Sequence, residues 1–259
     1  MLDTVQYLLG AGSGLVVGLV LGLVGGGGSI LAVPLMVYLV GVPNPHVAIG
    51  TSALAVAVNA VTGLVNHLRE GNVKWRCAVV FGLSGIAGAF AGSSAGKAVD
   101  GEKLLLLFAI VMIFVGALML RTRGRAGDPG VVLGRENGPK LVAYGLGTGV
   151  FSGFFGIGGG FLIVPGLIAA TGMPMINAVA SSLIAVFAFG LTTAVNYAFS
   201  GLVDWPLAAV FIGGGVAGSF IGARLAKRLS AKQGRLTTVF AGLIFVVAAY
   251  MVWQSLAAL

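Results

Sequence analysis

Runs of about eighteen or more apolar residues recur from one end of this 259-residue chain to the other. A run of that length is what an α-helix needs to cross a hydrocarbon core about 30 Å thick. Composition agrees: 58% of the residues are hydrophobic and 8% charged, too little polar surface to cover a soluble globule. Strand-type alternation of apolar and polar residues is absent, so a membrane β-barrel is excluded in favour of an all-α integral membrane protein. The formal net charge of +8 does not point to nucleic acid. The basic residues lie in short loops between apolar runs rather than on one face with aromatics, where they act as topology signals. The single cysteine, Cys77, rules out an intrachain disulfide and reads as a small buried packing residue. The start Met1-Leu2-Asp3-Thr4 lacks the basic region of a cleavable signal and reads as mature structure.

The apolar segments run from about Tyr7 to Val24, Ile30 to Val40, Val47 to Leu68, Cys77 to Gly96 and Leu104 to Leu120, then Leu141 to Phe155, Phe161 to Ala170, Ala178 to Phe199, Pro206 to Leu225 and Leu236 to Trp253. Between the two sets lies a polar stretch of mixed charge with Gly and Pro. This divides the chain into a first membrane repeat (1–121), a linker (122–139) and a second membrane repeat (140–259). The halves align residue by residue. Gly25-Gly26-Gly27-Gly28-Ser29 answers to Gly156-Ile157-Gly158-Gly159-Gly160, and Ile30–Pro34 to Phe161–Pro165. Thr51-Ser52 answers to Ser181-Ser182, Asn66 to Asn196, Gly71-Asn72-Val73-Lys74-Trp75 to Gly201-Leu202-Val203-Asp204-Trp205, and Lys97 to Lys227.

Charge gives the sense of the repeat. The loop carrying Arg69, Lys74 and Arg76 is basic where its counterpart has Asp204, and Arg224 to Arg235 is basic where its counterpart is neutralised by Asp100 and Glu102. Corresponding loops with opposite bias belong on opposite sides of the membrane, so the repeats are expected to be inverted. Each half then has three full spanning helices plus a broken, glycine-interrupted pair, eight to ten membrane segments in all. The linker is expected to be cytoplasmic and both termini outside. Whether the first and short segments make a hairpin or two crossings stays open.

The short segments are too short to cross alone and must begin or end inside the membrane. Glycines before each expose backbone N–H groups, and Ser29 is placed as an N-cap, so the helix start offers donors and a positive dipole end to an anion. The same glycines also suit close helix packing or a kink. A nucleotide loop is excluded, because no Lys-Ser or Lys-Thr follows the run. The candidate substrate-binding residues are Gly26, Gly27, Gly28 and Ser29 with Gly158, Gly159 and Gly160 at the breaks. To these are added the polar residues of the third segments, Thr51, Ser52, Asn59, Asn66, Ser181, Ser182 and Asn196, which need partners in hydrocarbon. No Asp, Glu, Lys or Arg is central in any segment, so a carboxylate proton relay is absent. His46 and His67 are the near-neutral titrating groups, each close to a segment end. Gly88, Gly92 and Gly96, with Gly214, Gly218 and Gly222, read as seams for close helix contact. No nucleophile, metal cluster or carboxylate pair suggests an enzyme.

The run Gly25–Pro34, the stretch Ala48-Ile49-Gly50-Thr51-Ser52, Asn66-His67 followed by Gly71-x-Val73-x-Trp75, and their second-half copies resemble the TauE/SafE family of sulfite exporters and related anion permeases. The resemblance covers nearly the whole chain. It implies a bacterial or archaeal inner-membrane protein that moves a small, often sulfur-containing oxyanion or organosulfonate. By that reading the chain is a secondary transporter working by alternating access, with a passive anion channel as the alternative. No cofactor is expected, and a proton or sodium ion is the candidate coupling ion. The expected partners are the solute and the lipid bilayer, with no nucleic acid. A homodimer is an open alternative to a monomer. The second copy has Ala180-Ser181-Ser182 where the first has Gly50-Thr51-Ser52, so the two halves need not play equal roles.

Overall fold

A computed structural model describes residues 3–68, 71–122, 127–128, 130–156, 160–230 and 235–257, and they are helical apart from short connections. The helices are α1 (Thr4–Val24), a short composite segment α2, α3 (Pro45–Leu68), α4 (Trp75–Gly96), α5 (Gly101–Thr122), α6 (Gly138–Phe155), α7 (Gly160–Thr171), α8 (Met175–Ala198), α9 (Trp205–Ser230) and α10 (Arg235–Ala257). α1 starts earlier than its apolar run because Asp3 and Gln6 form a reciprocal capping box. Among the described residues, six helices are long and apolar enough to span a bilayer: α1, α3, α4, α5, α8 and α9. The first segment is therefore a full-length helix of 21 residues, about 31 Å long, rather than a partial one.

α2 corrects the expectation of a plain helix capped by Ser29. The four glycines are not an open loop. They wind into a 3-10 turn, Gly25–Leu31, followed by one α turn, Ala32–Pro34, and a π turn, Leu35–Leu39. Ser29 lies inside the 3-10 turn, so it cannot cap α2. Side-chain-free residues tolerate the tight winding, and Pro34, which has no N–H, is followed by a wider turn in which Val40 donates back to Leu35. The counterpart α7 is a regular helix of 12 residues despite Pro165.

Two tight helix pairs carry the bundle. Gly14, Gly18 and Gly22 of α1 lie against the backbone of Phe211, Gly215 and Ser219 of α9, while Gly145, Gly149 and Gly153 of α6 lie against Phe81, Gly85 and Ala89 of α4. A Cβ at Gly18 or Gly149 would collide with the carbonyl oxygen of Gly215 or Gly85, so glycine is what permits the close approach. In both pairs residue numbers rise together, so the partners run parallel. Each pair joins one helix from each half. Between them α3 and α8 cross: Gly190 faces Ala53 and Ala57, and Gly63 faces Leu183, so these equivalent helices run in opposite directions. α5 and α10 pack on each other at the periphery and touch the rest lightly.

One end of the bundle gathers the start of α1, the ends of α2, α8 and α10, and the α4–α5 turn. It is tied by Gln6 donating to the Val40 carbonyl, the His46 ring bonded to the Val99 carbonyl and the Tyr38–Tyr250 edge contact. We call this the terminus end. The opposite, linker end joins Asp128 to Gly172 through the backbone, and Asn177 to the Asn72 carbonyl. Trp75 opens α4 at the linker end, and Trp205 opens α9 at the terminus end. Both are exposed, as interfacial anchors are.

Candidate functional site

Both glycine breaks place a left-handed glycine directly after a long helix. Gly25 has φ 68° and Gly156 φ 67°, a region other residues enter only with strain. Each glycine packs on the opposite half. A Cβ at Gly25 would meet the carbonyl and side chain of Val179 on α8, and one at Gly156 would meet Ile49 on α3. Gly28 lies so close to α1 that a Cβ would strike the backbone of Leu21. The breaks themselves meet. The Gly160 N–H, at the start of α7, donates to the Ser29 hydroxyl oxygen at 3.3 Å, and Ser29 is fully buried. Ser29 thus caps, across the repeat, the helix of the other half. α1 runs toward the linker end and the parallel pair α4 and α6 runs toward the terminus end, so two breaks approached from opposite ends come together inside the bundle.

The hydroxyl pairs flank this crossing. Ser52 and Ser182 are fully buried and donate back to the carbonyls of Ile49 and Val179, the residues on which the two breaks rest. From the register of α3 against α8, the two serines sit roughly 11 residues or 16 Å apart along the helix axes. They are therefore apart from each other, one beside the residue that carries each break. Thr51 and Ser181 turn to other work. The Thr51 hydroxyl accepts the Asp204 N–H ahead of α9, and the Ser181 hydroxyl accepts the Lys74 N–H ahead of α4, both at 2.9 Å. This matched pair fixes the entry loops of the long helices.

The remaining predicted residues are dispersed. Asn59 is fully buried two turns beyond Ser52, against Gly215, with neither amide atom hydrogen-bonded among the described residues. Asn196 lies about 21 Å along α8 from Ser182. There its Nδ2 donates to Ser93 and Ser94 at 2.6 and 3.0 Å, and its Oδ1 accepts from Lys97 Nζ at 2.8 Å. It ties α8 to α4 at the terminus end, well away from the crossing. Gly26 and Gly27 are turns of the 3-10 winding. Gly158, Gly159 and the side chain of Asn66 lie outside the described residues. Sequence reasoning passed over Gly25 and Gly156 in favour of the glycines after them, although their identical place after each long helix was a signal. It also missed Ile49 and Val179, which nothing in the sequence distinguishes from other core residues.

No group of three or more His, Cys, Asp or Glu able to hold a metal exists among the described residues. What the crossing offers is neutral: hydroxyls, backbone N–H groups at the start of α7 and the positive end of that helix. Such a set suits a desolvated anion of modest size.

Among known proteins, the chain is 54% identical over 260 residues to a probable membrane transporter protein of Xylella fastidiosa strain Temecula1, covering 99% of each. It is 28% identical to the probable membrane transporter protein YunE of Bacillus subtilis, over 85% of this chain and 88% of that one. A stretch covering 41% of the chain is 33% identical to Sulfite exporter TauE/SafE family protein 1 of Arabidopsis thaliana, of which it spans 23%. No solved structure matches. Residues 10–251 match the family described as Sulfite exporter TauE/SafE, and with its all-helical, multi-spanning build the chain belongs to that family of membrane transporters.

Proposed function

We propose that this membrane transporter carries a small oxyanion, sulfite or an organosulfonate, by alternating access between two inverted repeats. The observation that carries the reading is the bond from Gly160 to Ser29, since it brings the broken segments of both halves to one buried point. Broken helices meeting near the bilayer midplane are the recurring binding device of secondary transporters. The opposed directions of α3 and α8, and the cross-half pairing of α1 with α9 and α4 with α6, support inversion. The anion sits at the Ser29–Gly160 crossing against the first turn of α7, with Ser52 and Ser182 as flanking hydroxyl stations toward the terminus and linker ends. Thr51 and Ser181 act one step removed, by holding the entries of α9 and α4. The basic loops at Lys74, Arg76 and Arg224 and in the linker put the linker end in the cytoplasm under the positive-inside rule, with both termini outside.

Purified protein in proteoliposomes tests this by uptake and exchange of sulfite, thiosulfate and small sulfonates. Saturable uptake with counter-transport is expected. Ser29→Ala should raise the half-saturation concentration about tenfold, the loss of one hydrogen bond to a charged group, with unchanged folding by thermal unfolding. Flux that neither saturates nor supports exchange would make the protein a passive channel. A Ser29→Ala protein that folds and transports normally would remove the crossing from the site.

A further inference from the structure

At the terminus end the loosely attached pair α5–α10 leaves a cavity of about 280 Å³ against the rest of the bundle. Its floor is apolar, made by Val37, Leu105 and Leu106, and its mouth carries Asp100, Glu102 and Lys103, with Gln254 at the end of α10. All three charged residues are exposed, and the Asp100 carboxylate also caps the start of α5 through the N–H groups of Glu102 and Lys103. That volume is ample for a compact polar group. A mouth with carboxylates and an ammonium together is complementary to a zwitterion rather than to a simple anion or cation.

Depth and surroundings identify the source of that zwitterion. Every wall belongs to a helix end or terminus-end loop, and exposed Trp253 stands next to Gln254, as aromatic side chains do at the headgroup level. Below the mouth, the outer faces of α5 and α10 expose Ile110, Phe114 and Val246 to the hydrocarbon. A molecule with its polar end in the cavity thus has an apolar surface for its tails. We propose that the cavity is a specific site for an aminophospholipid of the phosphatidylethanolamine type. Its ammonium is held by Asp100 and Glu102, its phosphate by Lys103 and its glycerol region by Leu105, Leu106 and Val37. The lipid fills the seam between α5–α10 and α2–α3.

The test is native mass spectrometry and thermal unfolding of delipidated protein titrated with phosphatidylethanolamine, phosphatidylcholine or phosphatidylglycerol, and with water-soluble phosphoethanolamine. Phosphatidylethanolamine should be retained and raise the unfolding temperature, whereas the choline lipid, which has no N–H to donate, and the glycerol lipid, which has no cation, should do so much less. In the Glu102→Gln, Lys103→Gln double variant, retention of phosphatidylethanolamine should fall about fivefold, the factor that two partly exposed ion pairs supply. Leu106→Trp, which fills the floor, should abolish retention without lowering the unfolding temperature of the lipid-free protein. Equal retention of the three lipids would make the contact ordinary annular lipid and overturn the proposal. So would tight binding of phosphoethanolamine alone, or undiminished retention in both variants.

Discussion

The two halves place the same glycine in the same helix and press different side chains against it. On α4, Gly85 receives Phe189 of α8, whose ring also stacks on Phe81 at 6.3 Å between centroids and 25° between planes. On α9, the equivalent Gly215 receives Asn59 of α3, and that amide has no hydrogen-bond partner among the described residues. Both side chains are fully buried. One junction is an aromatic plug. The other keeps a polar group where hydrocarbon packing would be more stable, at a cost of about 1–3 kcal/mol. A fold whose halves share a repeated pattern shows by such a difference where stability has been given up. On the function proposed above, a buried amide with no hydrogen-bond partner among the described residues, two turns from Ser52, is a candidate to face the substrate path rather than to serve packing.

The largest effect expected from this comparison is on the plug. Phe189→Ala should destabilise the protein by about 3 kcal/mol, measured as a shift in the denaturant or thermal midpoint in mild detergent, because it empties a rigid aromatic site against Gly85 and Phe81. A cost below about 1 kcal/mol would mean that the junction is loosely packed and the contrast between halves is weak.

The second expected effect has the opposite sign. Asn59→Leu replaces both unpartnered amide atoms by methyls on the same branched skeleton, so stability should rise by about 1 kcal/mol, less what the bulkier methyls cost against Gly215, while oxyanion exchange falls. A stabilised variant with full exchange would assign Asn59 to packing alone. A variant that loses stability would show that the amide has a partner within the fold.

How much of this was legible in the sequence follows from what each residue's pattern can express. Segment lengths and the paired glycine breaks were readable, because hydropathy acts locally and Gly25 and Gly156 recur in register; loop charge led to the expectation of inversion, which the opposed directions of α3 and α8 support. The winding of α2 was not. Four consecutive glycines permit an open loop as readily as a 3-10 turn, and the choice is made by Leu21 and Val179 packed against them. Ser29 was singled out for the wrong helix: its hydroxyl caps α7 in the other half, a contact spanning 131 residues that no local pattern encodes. Asn66 and Asn196 looked alike in the alignment, but the company of Asn196, namely Ser93, Ser94 and Lys97, is set by the packing of α4 on α8.

The smallest expected effect tests where the halves agree instead of where they differ. Thr51 and Ser181 each accept one backbone N–H from a loop of the opposite half, at the same distance. Thr51→Val removes the acceptor of the Asp204 N–H, and Ser181→Ala that of the Lys74 N–H, so each should cost about 1 kcal/mol, with Thr51→Ser close to neutral. The two contacts lie roughly 20 Å apart along α3 and α8. Their costs should therefore add within about 0.5 kcal/mol in the double variant. Additive and equal losses would make these caps interchangeable scaffold, leaving the asymmetry to Asn59 and Phe189. Coupling beyond that margin would mean that both entry loops answer to one shared rearrangement, as expected if α4 and α9 move together when access alternates. In that case the two hydroxyls would report on transport as well as on folding.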